Sequence, residues 1–174
     1  MSMSATRADV QVTPFVKEDY GGVLDLILPI QQAEFGIKIT AEDQPDLRII
    51  PEFYQTGTGG FWVAKSDGRV VGTIGLRDIG NKEAALRKMF VAAAYRGRSF
   101  GTAGKLLTAL LTAAARHGIR TIFLGTTDQF VGAHKFYERN GFVEIDRREL
   151  PEAFPLMTVD TRFYALGLSR QEAT

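Results

Sequence analysis

The stretch Tyr95-Arg96-Gly97-Arg98-Ser99-Phe100-Gly101-Thr102-Ala103-Gly104-Lys105 restricts the folding choices of this chain more than any other. Three glycines alternate with three cations, and an apolar helical pattern begins at once. Ala103, Leu106, Leu107, Leu110, Leu111 and Ala114 fall on one face at helical spacing, which predicts a helix over 101–117 closed by Gly118. The first turn of such a helix presents N–H groups that have no internal acceptor, and the helix dipole adds about half a positive charge there. Small residues let the main chain approach an anion closely. This is a phosphate cradle, to which Arg96 or Arg98 adds charge-assisted hydrogen bonds.

The remaining pattern is that of an α+β domain. Val10–Phe15 alternates as a strand, and Lys17–Ile30 reads as a helix that Pro29 ends or kinks. Residues 31–54 are irregular, with short helical pieces broken by Pro45 and Pro51. Phe61–Lys65 and Arg69–Leu76 form a hairpin through Ser66-Asp67-Gly68. Ala85–Val91 is a strand whose strict alternation places Leu86, Lys88 and Phe90 on one face and Arg87, Met89 and Val91 on the other. Thr121–Leu124, Phe142–Ile145 and Leu156–Leu166 supply further strands, and Phe130–Arg139 a helix ended by Asn140-Gly141. Without a repeat or linker, residues 1–174 are expected to form one domain, with 1–8 and 168–174 as flexible tails.

Composition removes several chemistries. The chain has no cysteine and two histidines, His117 and His134, so thiolate metal sites, disulfides and cysteine nucleophiles are excluded, and no metal is expected. The longest uncharged apolar run, Leu106–Ala115, is well short of the roughly 18 residues needed to span a bilayer. Residues 1–8 lack the apolar core of a secretory signal, so a cytoplasmic setting and no membrane partner are expected. Net charge is only +1, but residues 86–120 hold seven Lys or Arg and no acid. Residues 31–60 hold Glu34, Glu42, Asp43, Asp46 and Glu52 against Lys38 and Arg48. That asymmetry suggests an anionic cofactor and a cationic acceptor; a solvated acidic face accounts for the same acids. The cations interrupt an apolar strand and helix rather than forming a stripe with stacking aromatics, so no nucleic-acid partner is expected.

Three phosphate-binding spacings can be tested on the glycine-rich stretch. A Walker A loop ending at Gly104-Lys105 requires a glycine where Ser99 stands and a hydroxyl where Leu106 stands. A dinucleotide fingerprint requires Gly-x-Gly-x-x-Gly within a parallel βαβ unit, and neither the spacing nor the element order is present. Arg98-Ser99-Phe100-Gly101-Thr102-Ala103 satisfies a third pattern: Arg or Gln, two residues, Gly, one residue, Gly or Ala. Here the chain resembles the Gcn5-related N-acetyltransferase (GNAT) superfamily, whose members bind the pyrophosphate of acetyl-CoA in this way. Ala133-His134-Lys135-Phe136-Tyr137-Glu138-Arg139-Asn140-Gly141-Phe142 is similar to the superfamily's second hallmark, and Leu86–Val91 to its fourth strand. Together these segments cover roughly residues 61–145.

The resemblance implies a GNAT-like acyl-CoA N-acyltransferase fold, with a mixed central sheet of about seven strands flanked by about four helices. It implies acetyl-CoA as cosubstrate, bound by Met89, Phe90, Val91, Arg96, Arg98, Ser99, Gly101, Thr102, Ala103, Gly104, Thr126, His134 and Tyr137. The backbone of the fourth strand would take the pantetheine arm as an added strand, while the strand ending at Leu124-Gly125 splays away. Many members carry an asparagine at the position of Phe130, so that contact does not carry over. Tyr137 corresponds to the tyrosine that often protonates the departing thiolate, and a phenol with a pKa of about 10 keeps its proton for that purpose. Glu83 resembles a glutamate base of some members and is equally readable as an exposed turn residue; Glu34, His134 and water are the other routes for the ammonium proton. Residues 20–55 correspond to the acceptor region, with Glu34, Phe53 and Tyr54 as candidate pocket residues. The expected acceptor is a small-molecule or peptide amine, and the expected assembly a monomer or homodimer. An acyl-CoA-binding or regulatory domain without catalysis is the alternative.

Overall fold

The computed structural model describes residues 9–97, 101–157 and 159–168. Seven strands form one sheet: β1 (Gln11–Pro14), β2 (Gly60–Ser66), β3 (Arg69–Gly80), β4 (Glu83–Val91), β5 (Thr121–Thr126), β6 (Val143–Ile145) and β7 (Arg162–Gly167). Their spatial order is β1-β2-β3-β4-β5-β7-β6, antiparallel throughout except for the β4–β5 pair. The last strand begins at Arg162, later than expected, because Met157 and Asp160 hydrogen-bond to each other across a turn before it.

Four α-helices flank the sheet: α1 (Tyr20–Pro29), α2 (Ile50–Phe53), α3 (Thr102–Arg116) and α4 (Val131–Arg139). The stripe on α3 is where its periodicity put it. Leu106, Leu107, Leu110 and Ala114 are buried against Ile74, Leu76 and Ile122, forming the larger core. Val23 and Ile27 of α1 meet Tyr54, Phe61 and Val63 on the opposite face. Among the described residues, no helix is long and apolar enough to cross a membrane.

Two local departures shape the site. Pro29 is the last residue of α1, as expected, and the chain continues from it into a widened turn, Ile30–Glu34, in which Phe35 N–H donates to Ile30 O at 3.1 Å. Proline supplies no N–H and crowds the preceding turn, and a π-type turn accommodates that change of spacing. In β4, strict alternation fails. The pairing with β3 slips between Thr73 and Gly75, and Lys88 adopts φ +57°. This bulge turns Lys88 away from the face of Leu86 and brings Met89 and Val91 onto it, while Phe90 packs in the opposite core.

Candidate active site

β4 and β5 are paired over only three positions, Glu83–Thr121, Ala84–Ile122 and Ala85–Phe123. Beyond these, β5 follows its other neighbour, β7, through Thr126, and the two parallel strands separate. A cavity of about 770 Å³ occupies the wedge. It extends from the start of α3, past Met89, Phe90 and Tyr137, to Arg87, Lys88 and Asp160.

Its anion end is built from Gly97, Gly101, Ala103 and Gly104. Gly101 caps α3 with φ +62°, a left-handed conformation that costs a glycine little and lets the loop turn into the helix. Arg98 and Ser99 lie outside the described residues. Thr102 brings its backbone to this turn, but its side chain is buried and is not part of the cavity wall. Arg96 lines the cavity and is already engaged. Its Nε donates to Val91 O at 2.8 Å, and its guanidinium forms a bidentate pair with Glu34, with Nη2 2.7 Å from Oε1. The hydrogen bond from Arg96 holds the Glu34 carboxyl below the usual carboxylate range. Glu34, a candidate pocket residue, therefore serves to tie the widened turn after α1 to the glycine-rich loop.

The middle of the cavity is apolar. Phe130, at the start of α4, packs edge-on against Phe35 at 4.7 Å and meets Phe90 at 6.1 Å. Thr126 is a buried wall residue on β5, and its carbonyl accepts from Thr161 N–H at 2.8 Å. Tyr137 is packed between Phe136, Phe142 and Tyr164 and lines the same cavity. Burial pushes its pKa above that of a free phenol, so the hydroxyl stays protonated at neutral pH.

His134 and Glu83 lie elsewhere. The His134 ring is buried off the cavity, with Nε2 2.8 Å from Thr127 O and Nδ1 3.0 Å from Arg162 Nη1. A carbonyl can only accept, so Nε2 carries the proton and Nδ1 accepts from Arg162. The ring braces α4 against β7. Glu83 begins β4 at the closed end of the wedge and does not line it.

The far end holds a buried polar network that strand alternation did not reveal. Because of the bulge, Arg87 and Lys88 both reach toward the segment before α2. Lys88 Nζ donates to Gln44 Oε1 at 2.6 Å and lies 3.7 Å from Asp46. Arg87 Nε donates to Tyr54 Oη at 3.0 Å, and Tyr54 donates to Asp46 at 2.5 Å. Gln31 and Gln44 exchange side-chain hydrogen bonds at 3.0 and 2.9 Å. Tyr54, the second candidate pocket residue, is thus a fully buried anchor and does not line the cavity. Phe53 borders an adjoining recess of about 480 Å³ together with Asp46 and Arg87. Burial lowers the Lys88 pKa to about 8, against the opposing pull of Asp46. Of the five acids between 31 and 60, Asp46 and Glu34 are paired within the protein, Glu42 and Glu52 face solvent, and Asp43 lies at the exposed rim of the recess beside Asp46. Among the described residues, no group of His, Cys, Asp or Glu is arranged to hold a metal.

Comparison with known proteins agrees with this geometry. A family model described as the acetyltransferase (GNAT) family matches residues 24–142. The chain belongs to the GNAT family. A solved GNAT acetyltransferase from Staphylococcus aureus MU50 is 40% identical, with a TM-score of 0.89 over 92% of this chain and 99% of that one. The PaiA N-acetyltransferase of Thermoplasma acidophilum, solved with coenzyme A, has a TM-score of 0.69 over 92% of this chain and 99% of that one; at 18% identity it shows likeness of fold alone. An N-acetylaspartate synthetase from Xenopus tropicalis is 38% identical over 104 residues, 58% of this chain and 37% of that one. The GNAT chain thus spans roughly a third of the length of the first such curated relatives.

Proposed function

We propose that this chain transfers the acetyl group of acetyl-CoA to a primary amine by direct attack within a ternary complex. The observation that carries the reading is the wedge itself. One continuous cavity joins a helix start suited to a pyrophosphate, a strand edge freed by the β4–β5 splay, and a buried phenol. Backbone N–H groups at Gly101–Gly104 would hold the pyrophosphate. The free edge of β4 around Met89–Val91 would take the pantetheine arm in the manner of an added strand. The thioester then falls where β5 turns away, near Gly125 and Thr126. The amine nitrogen attacks the acetyl carbon, the carbon–sulfur bond breaks, and Tyr137 Oη gives its proton to the thiolate. Apolar walls from Phe35, Phe90 and Phe130 limit water at the thioester, which otherwise competes as nucleophile.

The test is a thiol-release assay with acetyl-CoA and a panel of small amines, amino acids and lysine peptides, with mass spectrometry of the products. Aspartate belongs in the panel because of the name of one relative. The expected result is stoichiometric acetylated amine and free coenzyme A. Tight coenzyme A binding with no release on any amine would overturn the catalytic reading and leave an acyl-CoA-binding domain.

A further inference from the structure

Among the described residues that line the main cavity, Asp160 is the one acid. It sits in the turn before β7, held by its own backbone. Asp160 N–H donates to Met157 O at 3.0 Å, and Met157 N–H donates to Asp160 Oδ2 at 3.2 Å. The next residue pins this turn to β5 through the bond from Thr161 N–H to Thr126 O. The carboxylate consequently lies against Gly125, where a methyl group added to the glycine would come within 2.6 Å of Oδ2. That is the point at which β5 leaves β4.

The other acids of the region are committed. Glu34 is paired with Arg96, Asp46 is held by Tyr54, Arg87 and Lys88, and Glu83 is outside the cavity. Met157 N–H is the single hydrogen-bond donor to the Asp160 carboxylate among the described residues. We propose that Asp160 is the docking point for an acceptor that arrives as a primary ammonium, and is the base that takes its proton. This rests on the acetyl-transfer reading above.

The steps balance. The ammonium gives one proton to Asp160 and becomes the free amine. Its lone pair forms the carbon–nitrogen bond, the carbon–sulfur bond breaks, and the thiolate takes the Tyr137 proton. The new amide nitrogen returns its surplus proton to the Tyr137 oxygen, and Asp160 releases its proton to water. Amide, coenzyme A thiol and one proton are the net products. Charges facing the carboxylate come from β4, as Arg87 and Lys88, with Asp46 behind them. Burial raises the Asp160 pKa despite the Met157 N–H and those two cations, making it a better base than an exposed aspartate.

The experiment compares wild type with Asp160→Asn and Asp160→Glu on ethylamine, an ammonium at neutral pH, and on 2,2,2-trifluoroethylamine, already the free amine. Asp160→Asn should lower ethylamine turnover by about a hundredfold, leave the trifluoroethylamine rate near wild type, and abolish the acid limb of the wild-type pH profile. That limb should lie above the pKa of about 3.9 of an ordinary aspartate. Acetyl-CoA affinity by calorimetry should be unchanged, and Asp160→Glu should restore part of the ethylamine rate. Equal losses on both amines, or an intact ethylamine rate in Asp160→Asn, would overturn the assignment. Failure of wild type to release thiol on any amine would instead remove the acetyl-transfer reading, and Asp160's role with it.

Discussion

Lys88→Met probes a charge buried between β4 and the segment before α2. The Lys88 side chain is 3% exposed, and burial brings its pKa from 10.5 to about 8. Each unit of pKa corresponds to about 1.4 kcal/mol, so the charged amine costs the folded state about 3 kcal/mol at neutral pH, relative to the unfolded chain. The sign follows from proton binding. Between pH 8 and 10.5 or so the native state has released this proton while the unfolded state still holds it, so stability rises with pH across that window. Integrated from about pH 7 to about pH 9.5, the gain is about 2 kcal/mol. Methionine has similar length and no charge, and Asp46 keeps its contacts with Tyr54 and Arg87. Tyr54 and Tyr137, whose pKa values burial raises, titrate alike in both proteins and cancel in the comparison. Urea melts of both proteins at the two pH values give the difference directly. Wild type should gain about 2 kcal/mol on the variant as pH rises. A difference that does not change with pH refutes the reasoning, because it would mean that Lys88 titrates as an exposed lysine does.

Three further outcomes test the site and the core. Tyr137→Phe should lower kcat by about tenfold or more with acetyl-CoA affinity unchanged; near-normal turnover would remove Tyr137 as the acid. Gly101→Ala meets no steric obstacle within 4 Å but must hold φ +62°, so thermal denaturation should show a loss of about 1 kcal/mol. Calorimetry should show weaker acetyl-CoA binding in the same variant. Leu110→Ala removes a side chain with no exposed surface between α3 and the sheet and should cost about 2–5 kcal/mol in urea melts.

The glycine-rich end of the cavity was legible in the sequence because it is local. Gly101, Ala103 and Gly104 stand next to the helix they serve, and Tyr137 lies on a helix whose period is clear. The end of the cavity around Arg87 and Lys88 was not legible. A bulge at Lys88 adds one residue to β4, which leaves the composition of the strand untouched but reverses the side to which its later residues point. Arg87 and Lys88, expected on opposite faces, came together over Asp46 and Tyr54 for that reason. Glu34 and Arg96 are 62 residues apart, and His134 and Arg162 are 28 apart. Neither pairing has a local signature, so the tie that Arg96 makes and the brace that His134 makes could not be anticipated. Asp160 carries no sequence signal, because it sits in a short polar turn before a strand, where aspartates are ordinary. Its place on the cavity wall, against Gly125, is what makes it distinctive.

The strand order carries a consequence for how the molecule is made. β7 follows β6 in sequence yet lies between β6 and β5, pairing with both. A ribosome therefore delivers two strands whose facing edges have no mutual partner, and only afterwards the segment that fills the space between them. Until then those edges are templates for any passing chain. The closing strand enters with hydrogen bonds on both sides, Phe163 against Phe154, and Tyr164 Oη bonded to Glu138 on α4. It also delivers Arg162 to His134 and carries in the turn bearing Asp160. Nascent chains stalled ahead of β7 thus have the glycine-rich loop but not a finished cavity, and the step that protects the sheet from aggregation is the step that completes the cavity wall at Asp160.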